Sequence, residues 1–333
     1  MSQETREWLS NNTLIGFTEK RGNAWHYRQG DNNHYAGAIP VDDVLKRLFA
    51  WEPVKVAEQW TDPKSGQLVT GDDVVILHGG TGKKLGTFTD GYQLHPYPQW
   101  LVNNVFTIVD ASGEELGVSS AVLLRGGKIA SVQIEVPETF RGPAGVNFRP
   151  FLTASSSFDG SISTQYGLMN TMVVCDNTLN AGLNERGNKI KIRHTRNSLD
   201  GMVQAARDAL GLIHSAADDF AAEIEELTSK ELTEKAFEEI VAELTKVEDE
   251  TKKRSVTMAA NKRDKLMALR TDERVAPWWG TAFGGVQLLN TYRQHEQIVR
   301  GASRPERNML NNVLGTTETQ NDQDRELVLA HVG

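Results

Sequence analysis

The sequence predicts an α+β protein: an antiparallel, hairpin-rich β-sheet with packed helices, followed by a C-terminal region of long helices. Three observations carry this. Apolar and polar residues alternate on both sides of Arg125-Gly126-Gly127-Lys128, the pattern of two half-buried strands joined by a hairpin. Turn-forming breaks at 62–66, 79–82 and 159–160 separate further short β-rich runs. From Leu199 onward the apolar residues recur at intervals of three and four, the spacing of a helix that buries one face. The chain is therefore divided into a mixed α+β core at 1–197, a helical region at 198–303 whose acidic hairpin packs back on that core, and a polar tail at 304–333.

Taken in order, residues 2–10 suit a short helix, and Ala24 to Arg28 a strand. Pro40 stands where a first helical turn accepts it. Asp42 and Asp43 suit a helix N-terminus, and Val41, Val44, Leu45, Leu48 and Phe49 follow helical spacing. This predicts a helix over 40–49, ended by Trp51 and Pro53. Strands follow at 54–60, 74–78 and 84–89, and a helical period at 100–109. The long hairpin pairs 116–124 with 129–136 around a two-residue Gly126-Gly127 turn. Two more strands, near 149–157 and 161–174, flank Asp159-Gly160. Asp176 or Asn177 can cap a short helix through Leu183, and alternation makes 189–194 a strand. Phe220, Ile224 and Leu227 mark one helix, and Phe237, Ile240, Val241 and Leu244 a second. A third is predicted over 255–270 and a fourth over 283–300. The last thirty residues are polar, helical in patches and prone to fray.

Charge is unevenly distributed. The net charge is −8, yet 217–250 alone holds 13 acidic residues against three lysines, a balance of −10, which leaves +2 for the remainder. Overall acidity argues against coating DNA by bulk charge, but not against a basic face. No apolar run approaches the roughly 18 residues that span a bilayer. The first residues lack the apolar core of a secretory signal, and one cysteine forms no intrachain disulfide; both fit a reducing cytoplasm.

No catalytic set is legible, and no cofactor or metal is expected. Ile76 to Lys84 matches a phosphate loop only loosely: Leu77 stands in place of the first glycine and Lys84 in place of the hydroxyl. A glycine-rich hairpin turn is the better reading. Cys175 with His194 as base would make a nucleophile pair, but Cys175 follows an apolar run and reads as a buried thiol. Trp278, Trp279 and Phe283 read as core. The basic segment 189–194 is more informative. Alternation puts Lys189, Lys191 and Arg193 on one strand face, a stripe of about 13 Å at roughly 3.3 Å per residue, suited to successive phosphates. Arg186 and Arg196 flank it, and Arg125 and Lys128 belong to the hairpin turn. A solvated strand face with no ligand is the alternative.

Several segments together resemble one family: Leu85-Gly86, the helix around Asn103 to Phe106, Leu124-Arg125-Gly126-Gly127, Ser157-Phe158-Asp159-Gly160-Ser161, Val173 to Leu179 and Arg193-His194-Thr195. They are similar to phage- and plasmid-type proteins, common in actinobacterial phages, built on a domain of unknown function. The resemblance covers most of 14–300 and carries no catalytic assignment. It implies a mobile-element protein in a bacterial host cytoplasm. A remote similarity to phage single-strand annealing recombinases implies single-stranded DNA as partner and a homo-oligomer, with no membrane association. The competing expectation is a non-catalytic interaction factor for host takeover or counter-defence, acting through the acidic helices.

Overall fold

The computed structural model describes residues 2–24, 27–106, 117–135, 140–172, 178–179, 189–192 and 213–332. The fold is α+β, with antiparallel sheets and a helical C-terminal region. The chain forms two compact units. The first holds 1–137, 151–168 and 185–213; the second holds 138–150, 169–184 and 214–333.

In the first unit, α1 (Gln3–Asn12) is capped by the Ser2 hydroxyl, which accepts from the Thr5 amide. It leads into β1 (Thr13–Ile15), a short α2 (Thr18–Arg21) and α3 (Val41–Arg47). Residues 24, 27 and 28 are not in a strand, so the one predicted at 24–28 is not formed there. The strands β2 (Pro53–Thr61), β3 (Leu68–His78) and β4 (Lys84–Thr89) make a three-stranded sheet in sequence order. The glycine-rich segment after Ile76 is the turn between β3 and β4, as its composition predicted, with Gly82 at φ +67°. The helical period near residue 100 forms a wide turn at Pro98–Asn103, where the Asn104 amide reaches back five residues to the Gln99 carbonyl.

The larger sheet runs β1, β5 (Gly117–Leu124), β6 (Ile129–Glu135), β8 (Asn147–Ser157), β9 (Thr164–Met172), with β11 (Lys189–Ile192) on β9. Its long hairpin closes differently from the prediction. Leu124 pairs with Ile129, so the turn has four residues, and Arg125, Gly126 and Gly127 all take positive φ. The core beneath is apolar: Leu101, Val105, Leu124, Ile129, Val132, Phe158 and Tyr166 are all buried.

In the second unit, β7 (Phe140–Arg141) pairs with the start of β8, and β10 (Thr178–Leu179) with the end of β9. This corrects the helix expected from Asp176 or Asn177: Thr178 lies opposite Thr171 in a ladder. A cap signal is local, and cross-strand pairing overrides it here. The helices are α4 (Ile213–Ser229), α5 (Glu234–Leu244), α6 (Lys253–Ala268) and α7 (Ala282–Thr291). Caps explain two starts: Thr233 accepts from the Ala236 amide, and Thr281 from the Gly284 amide. The helix predicted over 283–300 ends early. After α7 the chain widens at Tyr292–Glu296 and becomes extended at Gln297. Helical patches were expected in the last thirty residues, and α8 (Arg304–Leu314) and α9 (Thr316–His331) fold there, separated by Gly315 at φ +79°. They bury Val313 and Val328, while Phe220, Phe237, Ile240, Phe283 and Leu288 fill the same unit's core. No helix among the described residues is long and apolar enough to cross a membrane.

Candidate nucleic-acid interface

Register brings several turns of the first unit to one end of its sheet. Ile129 pairs with Ser157, and Thr164 pairs with Ile192. The 125–128 turn, the 158–163 turn and the C-terminal end of β11 therefore emerge together. In β11, Lys189 lies opposite Gly167 and Lys191 opposite Gln165. Ile190 and Ile192 lie opposite the buried Tyr166 and Thr164. The two lysines occupy alternate register positions from the two isoleucines, as strand alternation requires.

The turn itself is held by aromatics. The buried Tyr97 hydroxyl donates to the carbonyls of Gly127 (3.1 Å) and Lys128 (2.9 Å). Burial pushes that hydroxyl well above the ordinary tyrosine range, with Tyr92 and Asp159 adding to the effect, so it remains a donor. The Trp51 and His78 rings stack at 3.8 Å beside the turn. A Cβ on Gly127 would lie 3.1 Å from Trp51 and 3.3 Å from His78, at a φ of +95°. Only glycine suits that position without strain. Gly86 of β4 is equally constrained, since a Cβ there would lie 2.2 Å from the Phe158 carbonyl oxygen.

Arg125 is exposed but engaged: its guanidinium lies 3.6 Å from Asp159 and 3.3 Å from the Ser161 hydroxyl. Lys128 is partly exposed and makes no ion pair among the described residues. Lys83, at the β3–β4 turn, is exposed. Burial, reinforced by Lys83 and opposed by a backbone hydrogen bond, lowers the His78 pKa. A neutral imidazole fits its role as acceptor from the Gly80 amide at 3.1 Å.

Of the predicted contact residues, the structure brings Arg125 and Lys128 to the sheet end toward which the Lys189–Lys191 strand runs. Arg186, Arg193 and Arg196 lie outside the described residues, as do Cys175 and His194. Arg149, which a continuous basic groove would require at the surface, is buried. Among the described residues, no group of three or more His, Cys, Asp or Glu is placed to hold a metal. Sequence reasoning missed Trp51, His78 and Lys83. Their only signal was a histidine inside a glycine-rich turn and a tryptophan after a helix, which gave no reason to pair them.

Together these features describe an α+β protein whose sheet end carries cations beside an aromatic stack. A family model described as a domain of unknown function, DUF932, matches residues 84–316, and the chain belongs to that family. Neither the curated proteins nor the solved structures compared with it contain a match.

Proposed function

We propose that the chain is a nucleic-acid-binding protein without catalytic activity, encoded by a phage or related mobile element. It holds single-stranded DNA at the basic end of the first unit's sheet and serves annealing or recombination as a homo-oligomer. The observation that carries this reading is the register: the strand bearing Lys189 and Lys191 runs toward the turn bearing Arg125 and Lys128. The neighbouring Trp51–His78 stack adds planar surface of the kind that unpaired bases use.

Anisotropy of a labelled oligothymidine, titrated from 50 to 200 mM salt, tests it. Binding should weaken steeply with salt, at about 0.7 in log–log slope per phosphate neutralised on a single strand. Replacing Lys189, Lys191 and Arg193 together by Ala should lower that slope by about 2. Absence of binding at low salt, or an unchanged slope in the triple variant, refutes the reading.

A further inference from the structure

The second unit contains an open cavity of about 700 Å³ between the start of α6, the 245–252 loop and the segment after α7. That volume is in the range of small-molecule sites, roughly 300–1,000 Å³. Its walls combine apolar groups with five cations and three carboxylates, those of Glu248, Asp249 and Glu296. Met258 and Ile298 remain 51% and 74% exposed there, a large apolar surface for side chains without a function. Two of the lining lysines are already matched: Lys252 with Asp249 at 3.4 Å and Lys265 with Glu296 at 3.3 Å.

Three further cations make no ion pair among the described residues. Lys246 and Arg300 line the cavity with no carboxylate in ion-pair reach among the described residues. Lys262 is half-buried, donates to the Leu244 carbonyl at 2.9 Å and lies 6.0 Å from the centre of the Tyr292 ring. A carbonyl and a ring face solvate an ammonium, but they do not neutralise it. Burial and the nearby Arg293 lower the Lys262 pKa, Asp324 opposes them in part, and a bound anion would oppose them further.

We infer that this cavity binds a small anionic amphiphile. Its phosphate or carboxylate head would meet Lys262, Lys246 and Arg300, and its apolar body would lie against Tyr292, Met258 and Ile298. The site belongs to the second unit and is independent of the nucleic-acid reading.

Calorimetric titration of the full chain with octyl phosphate, octanoate, inorganic phosphate and octanol tests the inference. Octyl phosphate or octanoate should bind with one site per chain, and the comparison of the two identifies the preferred head. Phosphate alone and octanol should each bind at least about tenfold more weakly, since each lacks half of the recognition. Lys262→Met should weaken binding of the amphiphile about tenfold, the size of one charge-assisted contact. A Lys246→Ala/Arg300→Ala variant, altered only at exposed positions, should do the same and carries the test if the Lys262 variant unfolds. Failure of both amphiphiles to bind overturns the inference. So does equal binding by the variants, or binding of inorganic phosphate as tight as that of octyl phosphate.

Discussion

The two units handle buried polarity differently. The first relies largely on neutral groups, although Glu135 is buried there as well. Tyr97 donates to two turn carbonyls, Tyr166 donates to the Trp100 carbonyl at 2.6 Å, and the Thr164 hydroxyl lies 2.7 Å from both His95 and Ser156. The second buries charge. Arg293 makes a two-pronged contact with Asp324, which is only 2% exposed, and Asn290 donates to the Asn321 amide oxygen beside it. Arg325 reaches Glu223 at 2.8 Å in the same unit. Hydroxyl and carbonyl pairs tolerate the loss of one member better than ion pairs do, because an orphaned charge cannot be left unsolvated.

The largest expected effect follows from that difference. Arg293→Met leaves Asp324 buried without its partner and should cost about 3–5 kcal/mol at pH 7.5. Urea unfolding measures the loss, with hydrogen exchange in α7 and α9 assigning it to the second unit. A companion Asp324→Leu change should recover much of the cost, because well-packed apolar residues often replace a buried pair. If the single variant is as stable as the parent, the contact is not holding these helices.

The same carboxylate gives a pH test. Burial raises the Asp324 pKa from 3.8 to about 6, opposed by Arg293 and Lys262. A carboxyl whose folded value is raised favours folding fully below its ordinary value, and that contribution is lost as pH rises through about 6. This group should therefore make the second unit more stable near pH 4 than near pH 7, by on the order of 2–3 kcal/mol at 1.36 kcal/mol per unit. Asp324→Asn should remove the step from a plot of α9 protection against pH. Persistence of the step in that variant would assign it to another group.

Much of this architecture was legible from period alone. The alternation around Arg125–Lys128 and the spacing of Phe237, Ile240 and Val241 reflect burial of one face, and burial is what fixes a strand or helix in place. What was not legible depends on distant partners. Thr178 and Leu179 follow a good helix cap yet pair with β9. The 304–333 segment looked like a tail because its buried positions include Thr317, Asn321 and Asp324, which no hydrophobic count detects. For the site, the lysines of β11 could be assigned to one face by alternation. The Trp51–His78 stack could not be read, since it joins a residue after α3 to one at the end of β3.

In the first unit the matching change is milder. Tyr97→Phe removes both hydrogen bonds to the hairpin turn but leaves the ring against Phe158, 4.3 Å away between centroids. The two carbonyls lose a buried donor, which should cost about 1–3 kcal/mol. Amide exchange at Gly127 and Lys128 should accelerate before that of β5 and β6. A loss as large as that of Arg293→Met would erase the contrast between the units.

The smallest effect on stability bears most directly on function. Arg125 and Asp159 form a partly exposed pair at 3.6 Å, and such pairs contribute about 0.2–1 kcal/mol. Asp159→Asn should therefore leave the unfolding midpoint nearly unchanged. It also removes a negative charge from the sheet end and releases the Arg125 guanidinium. If this end of the sheet binds a phosphate backbone, the variant should bind oligothymidine more tightly, with a log–log salt slope steeper by about 0.7. Were the pair structural, the same change would lower stability and leave DNA affinity unaltered. The variant thus asks whether the charge at this end of the first unit serves a ligand, whereas the charge in the second unit's helical core serves packing.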